Sequence, residues 1–128
     1  MKIGIAGLGL IGGSIAKAYK EYAKENQEDI EIFAFDKNQP IVDFAILEGT
    51  LDGVLDDNNI GECDLIFVAL YPIASAEYLT HVSHLIKKSA FVIDLCGTKQ
   101  EICKVGFALA EQHGYTFVGG HPMAGTHF

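Results

Sequence analysis

Short, uniformly apolar runs alternate along this chain with longer segments whose apolar residues recur at helical spacing. Strands that are apolar from end to end are buried on both faces, and strands separated by helices pair in parallel. We therefore predict an α/β fold, a doubly wound parallel sheet of about five strands with helices on both faces. The predicted strands are residues 2–7, 30–35, 64–70, 90–95 and 115–119.

The segments between these strands are predicted to be helices, so that residues 1–128 form one domain. The predicted helices are residues 11–26, 39–49, 72 to about 88, and 99 to about 113. In the first of them, the helical period collects five apolar side chains on one face, opposite a lysine-rich face. The five are Ile15, Ala16, Tyr19, Tyr22 and Ala23.

The charge balance limits the possible partners. The net charge is −8, from 9 basic and 17 acidic residues, which argues against nucleic acid and against anionic membranes. No apolar run reaches the ~18 residues of a membrane span, and the first residues lack a signal-peptide cleavage site. With three cysteines, Cys63, Cys96 and Cys103, and no paired spacing, we expect free thiols and a cytoplasmic location.

A glycine motif follows the first strand. The stretch from Gly7 to Gly12 reads GLGLIG and lies between a strand and an apolar-faced helix that begins near Leu10. Gly7 would permit the tight turn, Gly9 would let the backbone approach a pyrophosphate, and Gly12 would let the helix pack on the strand. The amides of Leu10 and Ile11 would then face the phosphate charge. A plain strand-to-helix turn is the alternative.

Asp36 supports a dinucleotide site of the Rossmann type. It ends the second strand 24 residues after Gly12 (36 − 12), close to the expected spacing of about 20. A carboxylate there can accept both ribose hydroxyls and would repel a 2′-phosphate, which favours NAD over NADP. Lys37 favours NADP instead, because its ammonium group could bind the 2′-phosphate. Asp36 could also be a turn-forming or helix-capping residue.

The carboxyl ends of the other strands complete the predicted site, because ligands of parallel sheets bind there. The loop after the third strand, Leu70, Tyr71 and Pro72, is predicted to contact the cofactor.

The fourth strand is followed by Thr98, which could cap a helix or bind a ligand. Lys99 comes next and is the only cation at the carboxyl end of that strand. His121 follows the fifth strand and could act as a general base. His81 and His84 have a metal-ligand spacing, but no third ligand is visible, so we predict no metal site.

Four segments together resemble a known family. GLGLIGGS, then Asp36, then DLCGTK and GGHPMAG occur in an order similar to that of the NAD-binding domain of bacterial prephenate dehydrogenases. The likeness covers nearly the whole chain, and GGHPMAGT is its most specific part. The resemblance implies oxidative decarboxylation of prephenate to 4-hydroxyphenylpyruvate in tyrosine biosynthesis, with NAD reduced. His121 matches the family's catalytic histidine, and Lys99 matches the lysine of its D-x-x-x-x-K segment.

Two departures from the family pattern concern the pocket. Cys96 and Gly97 occupy positions where members often have Gly-Ser, so a serine contact to the substrate hydroxyl is lost unless Thr98 replaces it. Tyr71 precedes Pro72 where members often have Ala-Val-Pro. Neither departure affects the expected fold.

The resemblance also carries expectations about the rest of the enzyme. Members are longer and have a helical C-terminal domain that dimerises and closes over the substrate, so this chain is expected to be a fragment that lacks that domain. Arogenate dehydrogenase shares these motifs and is the alternative substrate assignment. An NAD-binding sensor without chemistry is the alternative from another class.

Overall fold

A six-stranded parallel sheet forms the centre of the fold. The computed structural model describes residues 1–95 and 100–119. In this part of the chain the strand order is β3-β2-β1-β4-β5-β6, which is the order of doubly wound nucleotide-binding sheets. The strands are β1 Lys2–Ala6, β2 Glu31–Phe35, β3 Gly53–Val54, β4 Leu65–Val68, β5 Phe91–Asp94 and β6 Thr116–Gly119. The predicted fold class is confirmed, with one strand more than expected.

The extra strand is β3, which lies at one edge of the sheet. It has only two residues and pairs with β2 through Phe33 opposite Gly53 and Ala34 opposite Val54. Two residues are too few to show a recognisable apolar run, so the sequence pattern does not predict this strand.

The helices cover both faces of the sheet. They are α1 Leu10–Asn26, α2 Gln39–Leu47, α3 Pro72–Val82 and α4 Gln100–His113. On β4, Ile66 and Val68 join the core that includes residues of α3 and α4, whereas Phe67 joins the core that includes residues of α1 and α2. The alternation of side chains along one strand thus builds two separate hydrophobic layers. No helix in the described ranges is both long and apolar enough to cross a membrane.

The buried face of α1 is narrower than predicted. Ala16 and Ala23 are buried, and Ile15 and Tyr19 pack against the core as expected. Tyr22 was expected on this face but is 52% exposed. At about 100° per residue, Tyr22 lies on the margin of the stripe that Ala16 and Ala23 define, and only the centre of the stripe reaches the sheet.

The third helix ends earlier than predicted. It stops at Val82 and is followed by a 3₁₀ turn, Ser83–Leu85, instead of continuing to about residue 88. The hydroxyl of Ser83 donates to the carbonyl of Leu79 at 2.6 Å and shares a hydrogen bond with the Tyr115 hydroxyl at 2.8 Å. This buried pair connects the end of α3 to the residue before β6, and the chain turns there towards β5.

Candidate functional site

The glycine loop joins β1 to α1 by a close turn. Gly7 has a φ of +98°, and its N–H donates to the carbonyl of Phe35 at 2.7 Å. A Cβ on Gly7 would collide with the carbonyl group of Ala69, and a Cβ on Gly12 would collide with the carbonyl oxygen of Gly7. Both positions therefore require glycine, because β1, β4 and the start of α1 approach one another here. The space beside Gly9 is open, with no heavy atom within 4 Å of a Cβ placed there.

The first turn of α1 presents unpaired backbone donors to this open space. The helix begins at Leu10, after Gly9, and no side chain caps it. Its first described intrahelical bond is from Gly13 N–H to the carbonyl of Gly9, at 2.8 Å. The preceding amides are the groups that a helix leaves without an internal partner, at its positive end. Leu10 is 89% exposed, so solvent or a ligand can reach this turn.

Asp36 lies directly beside the glycine loop. Its Oδ2 accepts a hydrogen bond from the N–H of Leu8 at 2.7 Å, and its Oδ1 accepts one from the N–H of Asn38 at 2.8 Å. The second bond forms the turn that the alternative interpretation of Asp36 expects. A carboxylate has about four acceptor positions, so two remain for a ligand. The structural role and the proposed binding role of Asp36 are therefore compatible.

One cavity of about 900 Å³ collects these features at the carboxyl edge of the sheet. This volume lies within the usual range of about 300–1,000 Å³ for ligand pockets. Every residue that the sequence assigns to cofactor binding lines it: Gly7, Gly9, Leu10, Ile11, Gly12, Asp36, Lys37, Leu70, Tyr71 and Pro72. Three separate segments of sequence thus meet at a single site.

The wall formed by α3 is the part of the site that sequence reasoning missed. Ala74, Glu77, Tyr78 and His81 all line the cavity. Their spacing of three, four and seven residues puts them on one helix face, and this is the signal that could have identified them. In the sequence, His81 is conspicuous only for its spacing from His84. No group of three or more metal-ligating side chains occurs in residues 1–95 and 100–119.

Tyr78 and Phe35 form the floor of this part of the cavity. Their rings are stacked, with centroids 5.8 Å apart and planes 7° from parallel. Burial raises the pKa of Tyr78 far above its ordinary value, so the phenol keeps its proton at physiological pH. The floor is therefore flat, aromatic and uncharged.

The residues assigned to catalysis, Thr98, Lys99 and His121, lie outside the described residues. The strands that precede them in sequence are neighbours in the sheet. Asp94 at the end of β5 pairs with Gly119 at the end of β6, and both strands run parallel to β1. The chain therefore leaves β5 and β6 at the same edge of the sheet as the glycine loop.

A glycine loop, an acidic residue after β2 and a cavity at the carboxyl edge define a nucleotide-binding domain of the doubly wound class. The family model "Prephenate dehydrogenase, nucleotide-binding domain" matches residues 16–128. The chain belongs to the prephenate dehydrogenase family and corresponds to its nucleotide-binding domain.

Individual relatives agree with this assignment. The chain is 33% identical to prephenate dehydrogenase of Lactococcus lactis over 98% of its own length and 35% of the relative's. A crystal structure of prephenate dehydrogenase from A. aeolicus with hydroxyphenyl propionate and NAD⁺ superposes with a TM-score of 0.76 and 26% identity, over 100% of this chain and 43% of that one. Synechocystis arogenate dehydrogenase gives a TM-score of 0.77 and 28% identity, over 98% and 42%. The chain thus spans about a third of the curated relative and less than half of each solved structure.

Proposed function

We propose that the chain binds NAD in the cavity between the glycine loop and α3. The observation that supports this is the hydrogen bond from Leu8 N–H to the Asp36 carboxylate, because the turn that would receive the pyrophosphate then lies beside the carboxylate that would receive the ribose. The amides of Leu10 and Ile11 would receive the pyrophosphate, and the open space at Gly9 gives it room. The A. aeolicus relative, which was crystallised with NAD⁺, supports the same cofactor.

The charges around Asp36 favour NAD over NADP. A 2′-phosphate would lie against the Asp36 carboxylate, and Glu77 adds a second negative charge to the same cavity. Lys37 is the cation among the cavity-lining residues and is exposed. An exposed ammonium is well hydrated and compensates poorly for two carboxylates.

Calorimetric titration of the 128-residue chain with NAD and with NADP tests the proposal. We expect NAD to bind at least about tenfold more tightly, since one hydrogen bond to a charged group is worth about 1.5 kcal/mol or more. Asp36→Asn should narrow this preference, because it removes the charge and keeps an oxygen acceptor. Asp43→Asn makes the same change on the exposed surface of α2 and should leave the preference unaltered. Equal or tighter binding of NADP would refute the assignment of Asp36.

For the enzyme as a whole, we propose oxidative decarboxylation of prephenate to 4-hydroxyphenylpyruvate, in tyrosine biosynthesis. NAD, when bound, supplies the acceptor for the hydride that leaves the ring carbon bearing the hydroxyl. His121 takes the proton of that hydroxyl as the carbon becomes a carbonyl. Loss of carbon dioxide then makes the ring aromatic, while Lys99 and Thr98 hold the substrate. The name of the Lactococcus lactis relative supports this substrate.

Arogenate is the second candidate substrate, and the similarity to the Synechocystis arogenate dehydrogenase favours it. Prephenate and arogenate differ in the side chain, which carries a keto group or an amino group. We further propose a cytoplasmic enzyme that acts as a homodimer, because the family members resembled dimerise through a helical domain. Parallel assays of an active enzyme with the two substrates decide between them, and sedimentation of the same enzyme tests the dimer.

A further inference from the structure

Five of the residues that line the cavity form what we call its outer compartment. It is lined by Phe35, Lys37, Glu77, Tyr78 and His81. Asp36 contacts the glycine loop through Leu8, and Phe35, its neighbour in sequence, stacks on Tyr78 of α3. One helical turn further along α3, Nε2 of His81 lies 3.3 Å from the Asp57 carboxylate. The cavity lining thus combines the glycine loop, Asp36, an aromatic pair and polar side chains of α3.

The aromatic floor is suited to a flat ring. Phe35 and Tyr78 are both half-buried, and their stacked, nearly parallel rings offer an apolar surface in the cavity that also contains Asp36. Contacts of this kind stabilise any planar base, since every base has a π-face. The floor alone would not distinguish one purine from another.

Glu77 adds a polar group with a definite preference to this wall. It immediately precedes Tyr78 on α3, lines the same compartment and is exposed. Its carboxylate has no hydrogen bond or ion pair with any residue in the ranges that the structure describes. An ionised carboxylate only accepts hydrogen bonds. It is therefore suited to an amino group and unsuited to a carbonyl oxygen.

We infer that Glu77 determines which purine the site accepts, by accepting a hydrogen bond from the 6-amino group of adenine and repelling a 6-oxo group. The inference rests on the proposed function, because it takes the ligand to be a dinucleotide. Glu77 is a specificity residue of the cofactor site. His81, which is paired with Asp57, forms the outer limit of the same wall.

The test compares NAD with nicotinamide hypoxanthine dinucleotide, which has a 6-oxo group in place of the 6-amino group, an N1–H in place of the N1 acceptor, and the same net charge. A Glu77 carboxylate that faced N1 would accept this N1–H and favour the hypoxanthine dinucleotide, which would contradict the inference. Both dinucleotides are titrated calorimetrically into the 128-residue chain and into Glu77→Gln, whose amide can also donate. The ratio of the two dissociation constants is the readout, because removal of the carboxylate's charge affects both ligands equally. Glu21→Gln, the same change on the exposed surface of α1, is the matched control.

We expect the unaltered chain and Glu21→Gln to prefer NAD by about tenfold, the effect of one hydrogen bond to a charged group. Glu77→Gln should reduce this preference to about threefold or less. An unchanged ratio in Glu77→Gln, or no preference in the unaltered chain, overturns the inference and leaves the proposed function intact. Failure of both dinucleotides to bind the unaltered chain overturns the proposed function and the inference with it.

Discussion

At the scale of single residues, Cys63 shows how packing controls chemistry. The side chain is fully buried, and its Sγ would lie 3.1 Å from a Cβ placed on Gly4. Burial, together with the adjacent Asp64, raises the pKa of the Cys63 thiol to about 11. Cys103, the other free cysteine of the described residues, is only half-buried. Cys63 therefore acts as a small apolar residue of the core, in agreement with the expectation of free thiols.

We predict that Cys63 resists alkylation in the folded chain. At pH 8, about one thiol in a thousand with this pKa is ionised, and the thiolate is the reactive form. After brief treatment with iodoacetamide, mass spectrometry should find Cys103 modified and Cys63 unmodified, and denaturation should expose both. Because all nine basic residues are lysines, trypsin places Cys63, Cys96 and Cys103 in separate peptides. Modification of Cys63 at the rate of Cys103 would show that the core opens readily at β4.

At the scale of elements, one carboxylate attaches the short edge strand to the sheet. Asp52 precedes β3, and its Oδ2 accepts hydrogen bonds from the N–H of Ile32 on β2 at 2.7 Å and from Nζ of Lys20 on α1 at 2.8 Å. The backbone adds a bond from Asp52 N–H to the carbonyl of Ile32, at 2.7 Å. Lys20 and Asp52 are partly exposed, so their ion pair contributes little. We therefore expect the bond to the strand amide to contribute more to the stability of this edge than the ion pair does.

We predict that Asp52→Ala lowers the free energy of unfolding by about 1–2 kcal/mol, because the amide of Ile32 loses its acceptor. Asp52→Asn should lower the free energy of unfolding by less than half of this amount, since its side-chain oxygen can still accept the hydrogen bond from Ile32 N–H. Urea titration followed by circular dichroism measures both variants. Asp43→Ala on the exposed surface of α2 is the control and should stay within about 0.5 kcal/mol of the unaltered chain. If the Asn and Ala variants lost equal stability, the ion pair with Lys20 would be the important contact.

At the scale of the whole molecule, charge limits what the chain can do with a dianionic substrate. The net charge is −8, and the chain contains no arginine, the residue that binds carboxylates in a bidentate manner. Prephenate has two carboxylates. Unit charges of like sign 4 Å apart repel by about 4 kcal/mol at an effective dielectric constant of 20. Among the residues that we propose to contact the substrate, Lys99 is the only lysine available to offset this repulsion.

We predict that the 128-residue chain, supplied with NAD and prephenate, produces NADH much more slowly than a complete relative does. The cations that hold the substrate should belong to the part of the relatives that this chain does not span. The absorbance of NADH follows the reaction, and the Lactococcus lactis enzyme serves as the positive control. Calorimetric titration of the same chain should still detect the binding of NAD. Turnover close to that of the control would show that these residues suffice for catalysis.

The features that the sequence predicts are local ones. The strands of the central sheet follow from short, mostly apolar runs, because burial on both faces leaves few polar positions in them. The glycine loop follows from Gly7, Gly9 and Gly12 at fixed spacing between a strand and a helix. The residues that line the cavity could be named because the carboxyl ends of parallel strands must meet at one edge. All these inferences depend on neighbouring residues or on a general property of the sheet.

Tertiary contacts decided the remaining features. The two residues of β3 form a strand only because β2 offers them an open ladder and Asp52 bonds to the amide of Ile32. The end of α3 depends on the bond between Ser83 and Tyr115, which are 32 residues apart. Tyr78 faces the cavity because the sheet brings it onto Phe35, from a distant part of the chain. Each contact joins residues whose proximity follows from the strand order and is not visible in any short stretch of sequence.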